Sequence, residues 1–301
     1  MWEQLLTGIK ESNYKALARA ISLVENEVEG YEAFLRKLNP GNALITGITG
    51  PPGAGKSTLT DALISEWAKQ DKKIGVLCID PSSPFNLGAL LGDRIRMSEW
   101  YNHPNVYIRS LATRGALGGL HPHIIEITAI MQAAAFDHII IETVGVGQSE
   151  IEIAGLADTT VVVVVPEAGD EVQTMKAGLM EIADIFVVNK SDRPDADHFV
   201  KNLRLMLAPS FQVKDWEVPI LKTIASQKQG ITELAASIAS HQLIQRQTDR
   251  KGWLLTEKAW QLIQQKRMKN IDKAALKVDI TNALKAPDFN LFTYVDQQYP
   301  E

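Results

Sequence analysis

From about Leu44 to Ile238 the chain alternates short apolar runs with longer segments whose apolar residues recur every three or four positions. The short runs predict strands at 43–49, 74–80, 105–110, 138–142, 159–165, 184–189 and 218–223. The segments between them predict helices, as in Ser57 to Ala68, where Leu59, Leu63, Ile64 and Trp67 share a face. Such alternation is the pattern of a mostly parallel sheet with helices on both sides. The first forty residues are helical in pattern, with Leu17, Ile21, Val24 and Val28 on one face, and Asn39-Pro40-Gly41 ends the stretch. Beyond Gly252 another helical stretch carries Trp253, Leu254, Ala259, Trp260 and Ile263, then Ala274, Leu276, Ile280 and Leu284. The organisation read from the pattern is an N-terminal helical extension over 1–40, an α/β domain over 41–250 and a C-terminal helical extension over 251–301. Apolar stripes most often pack on their own core. Extensions on a complete domain need another surface, so a homodimer built from these helices is the expectation.

Gly50-Pro51-Pro52-Gly53-Ala54-Gly55-Lys56-Ser57 matches the phosphate loop G-x4-G-K-S and lies between the strand 43–49 and the helix that follows. Glycines at 50, 53 and 55 let the backbone fold into a nest whose N–H groups point at phosphate oxygens, reinforced by the positive end of the helix dipole. Gly53, Ala54, Gly55, Lys56, Ser57 and Thr58 are therefore candidate nucleotide-binding residues. Lys56 is placed to reach the β- and γ-phosphates and the Ser57 hydroxyl to ligate Mg²⁺.

Asn189-Lys190-Ser191-Asp192, after the strand ending at Val188, matches the guanine signature N-K-x-D. A carboxylate at Asp192 accepts both N1–H and the exocyclic amine of guanine, a donor pair that adenine lacks. ATP would leave that carboxylate unmatched. Lys190 is read as packing along the base and Asn189 as bracing the loop. Ala225, in Leu221-Lys222-Thr223-Ile224-Ala225, takes the place of the last guanine loop, with its N–H facing O6; the usual Ser before that alanine is here Ile224.

Three carboxylates are candidates for Mg²⁺: Asp80 and Glu142 at strand C-termini, and Asp93 in the loop Gly92-Asp93-Arg94-Ile95-Arg96. Each is also readable as a solvated loop acid. Glu142-Thr143-Val144-Gly145 stands where many GTPases have D-x-x-G, and the Gly145 N–H is read as a γ-phosphate donor. After that glycine comes Val146 rather than the water-orienting Gln of signalling GTPases, with Gln148 two positions later, so slow intrinsic hydrolysis is expected. Arg94, Arg96 and Arg114 are candidates for transition-state charge in cis, Arg96 first, each equally readable as a surface arginine.

Together, G-P-P-G-A-G-K-S, Asp80-Pro81-Ser82-Ser83-Pro84, Leu91-Gly92-Asp93-Arg94-Ile95-Arg96-Met97, the run from Glu142 to Glu150 and N-K-S-D resemble the MeaB/ArgK/MMAA family from roughly Leu44 to Ile238. The resemblance implies a SIMIBI-type G domain of the P-loop NTPases. It also implies a Mg²⁺-dependent GTP-to-GDP hydrolase that gates adenosylcobalamin delivery to an acyl-CoA mutase and guards that mutase. A further mobile loop is implied over Pro166 to Lys176, with Gln173 and Lys176 coupling to the partner. The chain departs from the family at Asn86-Leu87-Gly88-Ala89-Leu90, ahead of L-G-D, and at Ile224. The alternatives sharing the phosphate loop are a kinase or ATPase linked to amino-acid transport and a nickel-insertion GTPase. The second needs metal ligands that a chain with one cysteine is poorly equipped to supply.

Composition narrows the setting. Hydrophobic residues make up 45% and the formal net charge is −5, which argues against a nucleic-acid face. No apolar run approaches the roughly 18 residues of a membrane span, and Glu3, Glu11, Glu25, Glu27 and Glu29 argue against a transit peptide, so a cytoplasmic protein is expected. Cys78, the single cysteine, reads as a buried small hydrophobe. His121-Pro122-His123 and His103 lack the accompanying ligands of a metal site.

Overall fold

The computed structural model describes residues 1–39, 41–80, 97–113, 120–145, 149–166, 177–207, 216–244, 249–268, 271–286 and 289–298. The chain forms two compact units, Met1–Lys251 and Gly252–Glu301.

The first unit is built on seven parallel strands: β1 (Leu44–Thr49), β2 (Ile74–Asp80), β3 (Val106–Ala112), β4 (His138–Glu142), β5 (Thr159–Val164), β6 (Ile185–Val188) and β7 (Ile220–Lys222). Their order across the sheet is β3-β2-β4-β1-β5-β6-β7. In the central register Leu44 faces His138 and Thr46 faces Thr159. Helices α4 (Lys56–Ala68), α5 (Ile124–Gln132), α6 (Ser149–Leu156), α7 (Ala177–Ile182) and α8 (Ala196–Leu207) lie in the connections between strands, and α9 (Ile231–Gln242) follows the last strand. Successive side chains of a strand point to opposite faces, and both faces here are covered. Thus Val161 and Val163 enter one core with Leu59, Leu63 and Leu234 from α4 and α9, while Val162 and Val164 enter a second core with Leu179, Phe199 and Leu203 from α7 and α8. Two covered faces explain why the strand sequences are apolar runs rather than alternating ones. Cys78 lies in the first of these cores, 1% exposed.

The sheet edges differ from the pattern reading. β3 continues to Ala112 because β2 offers it partners as far as Asp80. β7 contracts to three residues at the opposite edge, where only β6 pairs with it. The N-terminal stretch is three helices, α1 (Trp2–Lys10), α2 (Tyr14–Glu25) and α3 (Tyr31–Leu35). Ser12 and Glu27, with φ of 58° and 49°, break it. Asn13 restarts it, its Oδ1 accepting the N–H groups of Lys15 and Ala16 at 3.0 and 3.1 Å. Leu17, Ile21 and Val24 are fully buried, whereas Val28 lies past the end of α2. α2 packs on α5, with Tyr14 against Tyr107 and Phe136 and Arg109 reaching Ser22 and Glu25.

The second unit holds most of α10 (Asp249–Arg267), together with α11 (Lys273–Ala283) and α12 (Leu291–Gln298). Asp272 caps α11 through the Ala274 N–H, and Asn290 caps α12 through Phe292 and Thr293. Trp253, Trp260, Ile263 and Phe292 are exposed. Among the described residues no helix is long and apolar enough to cross a membrane.

Candidate active site

The phosphate loop leaves the C-terminal end of β1, near the centre of the sheet, and delivers the chain into α4. Loops at strand C-termini near such a position are where parallel α/β sheets bind ligands. Gly50, Gly53 and Gly55 all have positive φ, and α4 begins at Lys56. The Lys56 Nζ donates to the carbonyl oxygens of Gly50 and Pro51 at 2.9 and 3.1 Å. Gly145 sits against the same point: its φ is +86°, and a Cβ there would lie 2.3 Å from Gly50 O and 2.5 Å from Lys56 Nζ. The chain leaving β4 is drawn to that of β1 by the Thr143 N–H on Ile48 O (3.0 Å) and by the Thr143 hydroxyl on that of Thr49 (2.9 Å).

A cleft of about 400 Å³ opens beside the loop, lined by Gly53, Gly55, Lys56, Ser57, Thr58, Asp80, Glu142, Thr143 and Lys190. Within it the Ser57 hydroxyl donates to Glu142 Oε1 at 2.6 Å, and Glu142 Oε2 stands 3.0 Å from the Thr60 hydroxyl. Glu142 is only 7% exposed. One hydroxyl and two strand-end carboxylates form a hard-oxygen set on the side of the loop where Mg²⁺ would meet phosphate, and that ion takes one or two carboxylates beside its waters. The donor set fits Mg²⁺.

The guanine signature closes the other end. Asn189, 2% exposed, donates through Nδ2 to Ala54 O (2.9 Å), while its Oδ1 accepts from the Thr223 hydroxyl and the Ala225 N–H, both at 3.1 Å. Its approach requires Gly55, where a Cβ would come within 2.4 Å of Asn189 Nδ2. Lys190 Nζ donates to Gly53 O at 2.8 Å. Asp192 is exposed at the turn beyond. The Ala225 N–H, the candidate donor to guanine O6, is engaged by Asn189 Oδ1 in the structure, so any bond to O6 would share that donor. Asn189 thus ties together three loops.

Asp93, Arg94, Arg96, Arg114, Val146, Gln148, Gln173 and Lys176 lie outside the described residues. Thr60, Thr143 and Thr223 have no role assigned from the sequence, and the structure sets their hydroxyls against Glu142, Thr49 and Asn189. A threonine three residues beyond the serine of the motif carries no motif signal, and its meaning comes only from the carboxylate across the fold. The histidines sit elsewhere: His121 is buried 3.6 Å from Glu25, His123 lies between Glu27 and Glu126, and His103 packs edge-on to Trp100.

The family model for the methylmalonyl Co-A mutase-associated GTPase MeaB matches residues 17–278. This chain belongs to the MeaB family. As a family member it is a P-loop GTPase that binds guanine nucleotide and hydrolyses GTP. A Pyrococcus abyssi protein whose name extends only to GTPase is 50% identical over 246 residues, covering 80% of this chain and 76% of its own. The mouse mitochondrial methylmalonic aciduria type A homolog is 34% identical over 295 residues, covering 87% of this MeaB-family chain and 69% of its own. A solved structure named as a LAO/AO transport system kinase shares the fold with a TM-score of 0.68 at 24% identity, over 98% of this chain and 95% of that one.

Proposed function

We propose that this MeaB-family GTPase serves as a chaperone of an adenosylcobalamin-dependent acyl-CoA mutase, its nucleotide state gating cofactor delivery and protecting the loaded mutase. The observation that carries this reading is the family match over residues 17–278, which extends past the G domain into α11. In this reading Lys56 and the backbone N–H groups of Gly53, Ala54, Gly55, Ser57 and Thr58 hold the phosphates. Asp192 reads the base, with Lys190 alongside it and Asn189 and Ala225 shaping its loop. Ser57, Asp80, Glu142 and Asp93 hold Mg²⁺, which when bound neutralises charge on the β- and γ-phosphate oxygens. The Gly145 N–H, beside Lys56, donates to the γ-phosphate, and Arg96 supplies transition-state charge. With no glutamine following Gly145, turnover is slow until the partner engages Gln173 and Lys176. The exposed tryptophans and aliphatics of α10 to α12 support a homodimer through the 251–301 extension, since large apolar surface left in water marks an interaction face.

The test measures GTP turnover, GDP affinity and cofactor loading with and without the purified mutase. Stimulation of turnover is expected, and Lys176→Ala is expected to lose it while keeping GDP affinity. A GTPase indifferent to every mutase of its source organism in all three measurements would refute the chaperone reading.

A further inference from the structure

Thr60 is fully buried on α4, one turn after Lys56, among the apolar side chains of Leu59, Leu63 and Ile64. Its hydroxyl oxygen lies 3.0 Å from Glu142 Oε2 and equally 3.0 Å from Lys56 O. One hydroxyl has one proton, and the two acceptors compete for it. The Lys56 carbonyl already accepts a backbone N–H in the helical ladder. As a Mg²⁺ ligand the Glu142 carboxylate is ionised, and hydrogen bonds to an ionised acceptor are roughly twice as strong as neutral ones. The proton therefore goes to Glu142.

Ser57 completes the arrangement. Its hydroxyl donates to Oε1 of the same carboxylate at 2.6 Å, which commits the Ser57 proton to Glu142 and leaves the Ser57 lone pairs for a cation in the cleft. That orientation holds while the carboxylate is fixed, and a bond to its second oxygen restricts its rotation. We infer that Thr60 is a positioning residue for the cation: by holding Glu142 Oε2 from α4, it fixes the carboxylate that orients the Ser57 hydroxyl toward Mg²⁺. The inference rests on assigning Ser57 and Glu142 to the Mg²⁺ side of the nucleotide.

Thr60→Val keeps the shape and removes the donor, while Thr60→Ser keeps the donor and removes a methyl group. Release of a fluorescent GDP analogue is followed in each full-length protein across a Mg²⁺ titration, with release in EDTA as the reference for that protein. In the wild type Mg²⁺ is expected to slow release. Thr60→Val is expected to need about tenfold more Mg²⁺ for half of that slowing, the usual scale for loss of an outer-shell partner, and Thr60→Ser is expected to return most of the difference. Equal half-effect concentrations in wild type and Thr60→Val would overturn the inference, as would Thr60→Ser behaving like Thr60→Val. Wild-type release indifferent to Mg²⁺ would instead overturn the magnesium assignment itself, and the inference with it. Melting temperatures report whether each variant is folded, and Thr60→Ala takes the place of Thr60→Val if the valine protein is not.

Discussion

Replacing Asn189 by alanine separates bracing from base reading. The side chain is buried and makes three hydrogen bonds, to Ala54 O, from the Thr223 hydroxyl and from the Ala225 N–H. Each such bond contributes a net of about 0.5–1.5 kcal/mol, and a buried N–H left without its acceptor costs about 1–3 kcal/mol, so with partial relaxation the loss is roughly 3 kcal/mol. At roughly 2–4 °C per kcal/mol for a domain of this size, the melting temperature is expected to fall by about 6–12 °C. The nucleotide-binding loops, no longer tied to each other, also lose affinity for GDP. Asp192→Ala is the matched control, because that carboxylate is exposed and its loss is expected to cost within about 0.5 kcal/mol of stability while removing guanine recognition. Thermal unfolding with and without GDP, alongside GDP titration, reads both quantities. An Asn189→Ala protein melting with the wild type would show that the three bonds contribute nothing. An Asp192→Ala protein melting as low as Asn189→Ala would show that the two residues do not divide the work.

Asp192→Asn is expected to weaken GTP and favour xanthine nucleotides, whose C2 oxygen suits an amide donor; titration with GTP, XTP and ATP checks it, and an unchanged GTP affinity would contradict the base assignment. His138, stacked on Trp67 with ring centroids 4.2 Å apart, is held below the usual histidine pKa by burial. The unfolded chain takes up this proton near pH 6.5 while the folded chain resists it, so the contribution to stability is complete above that pH and is lost as the pH falls toward the folded value. His138→Phe is therefore expected to flatten the fall in melting temperature between about pH 7.5 and 5; parallel curves for the two proteins would refute it.

Much of the fold was legible because its causes are local. A strand covered on both faces must be apolar at every position, so Val161 to Val164 and Ile139 to Ile141 announce themselves without reference to their neighbours. The phosphate loop is equally local, since glycines at fixed spacing permit the positive φ values that aim N–H groups at phosphate. Breaks imposed by single residues were less legible. Positive φ at Ser12 and Glu27 interrupts a stretch in which Leu17, Ile21, Val24 and Val28 are spaced for one face, because spacing records which face is buried and not whether the backbone is continuous.

The amino-acid sequence by itself determined the parallel α/β class, the phosphate-loop motif at the end of β1 and the N-K-x-D motif after β6, each set by side chains within a few positions of one another. Which loops meet was decided only by the strand order β3-β2-β4-β1-β5-β6-β7, which places β4 directly beside β1 and β5 on its other side. That order brings Asn189 to Ala54 across 135 positions of chain and Thr60 to Glu142 across 82. A hydroxyl on a helix has no meaning for a carboxylate on a strand until packing removes water from between them, and sequence spacing does not encode that desolvated contact.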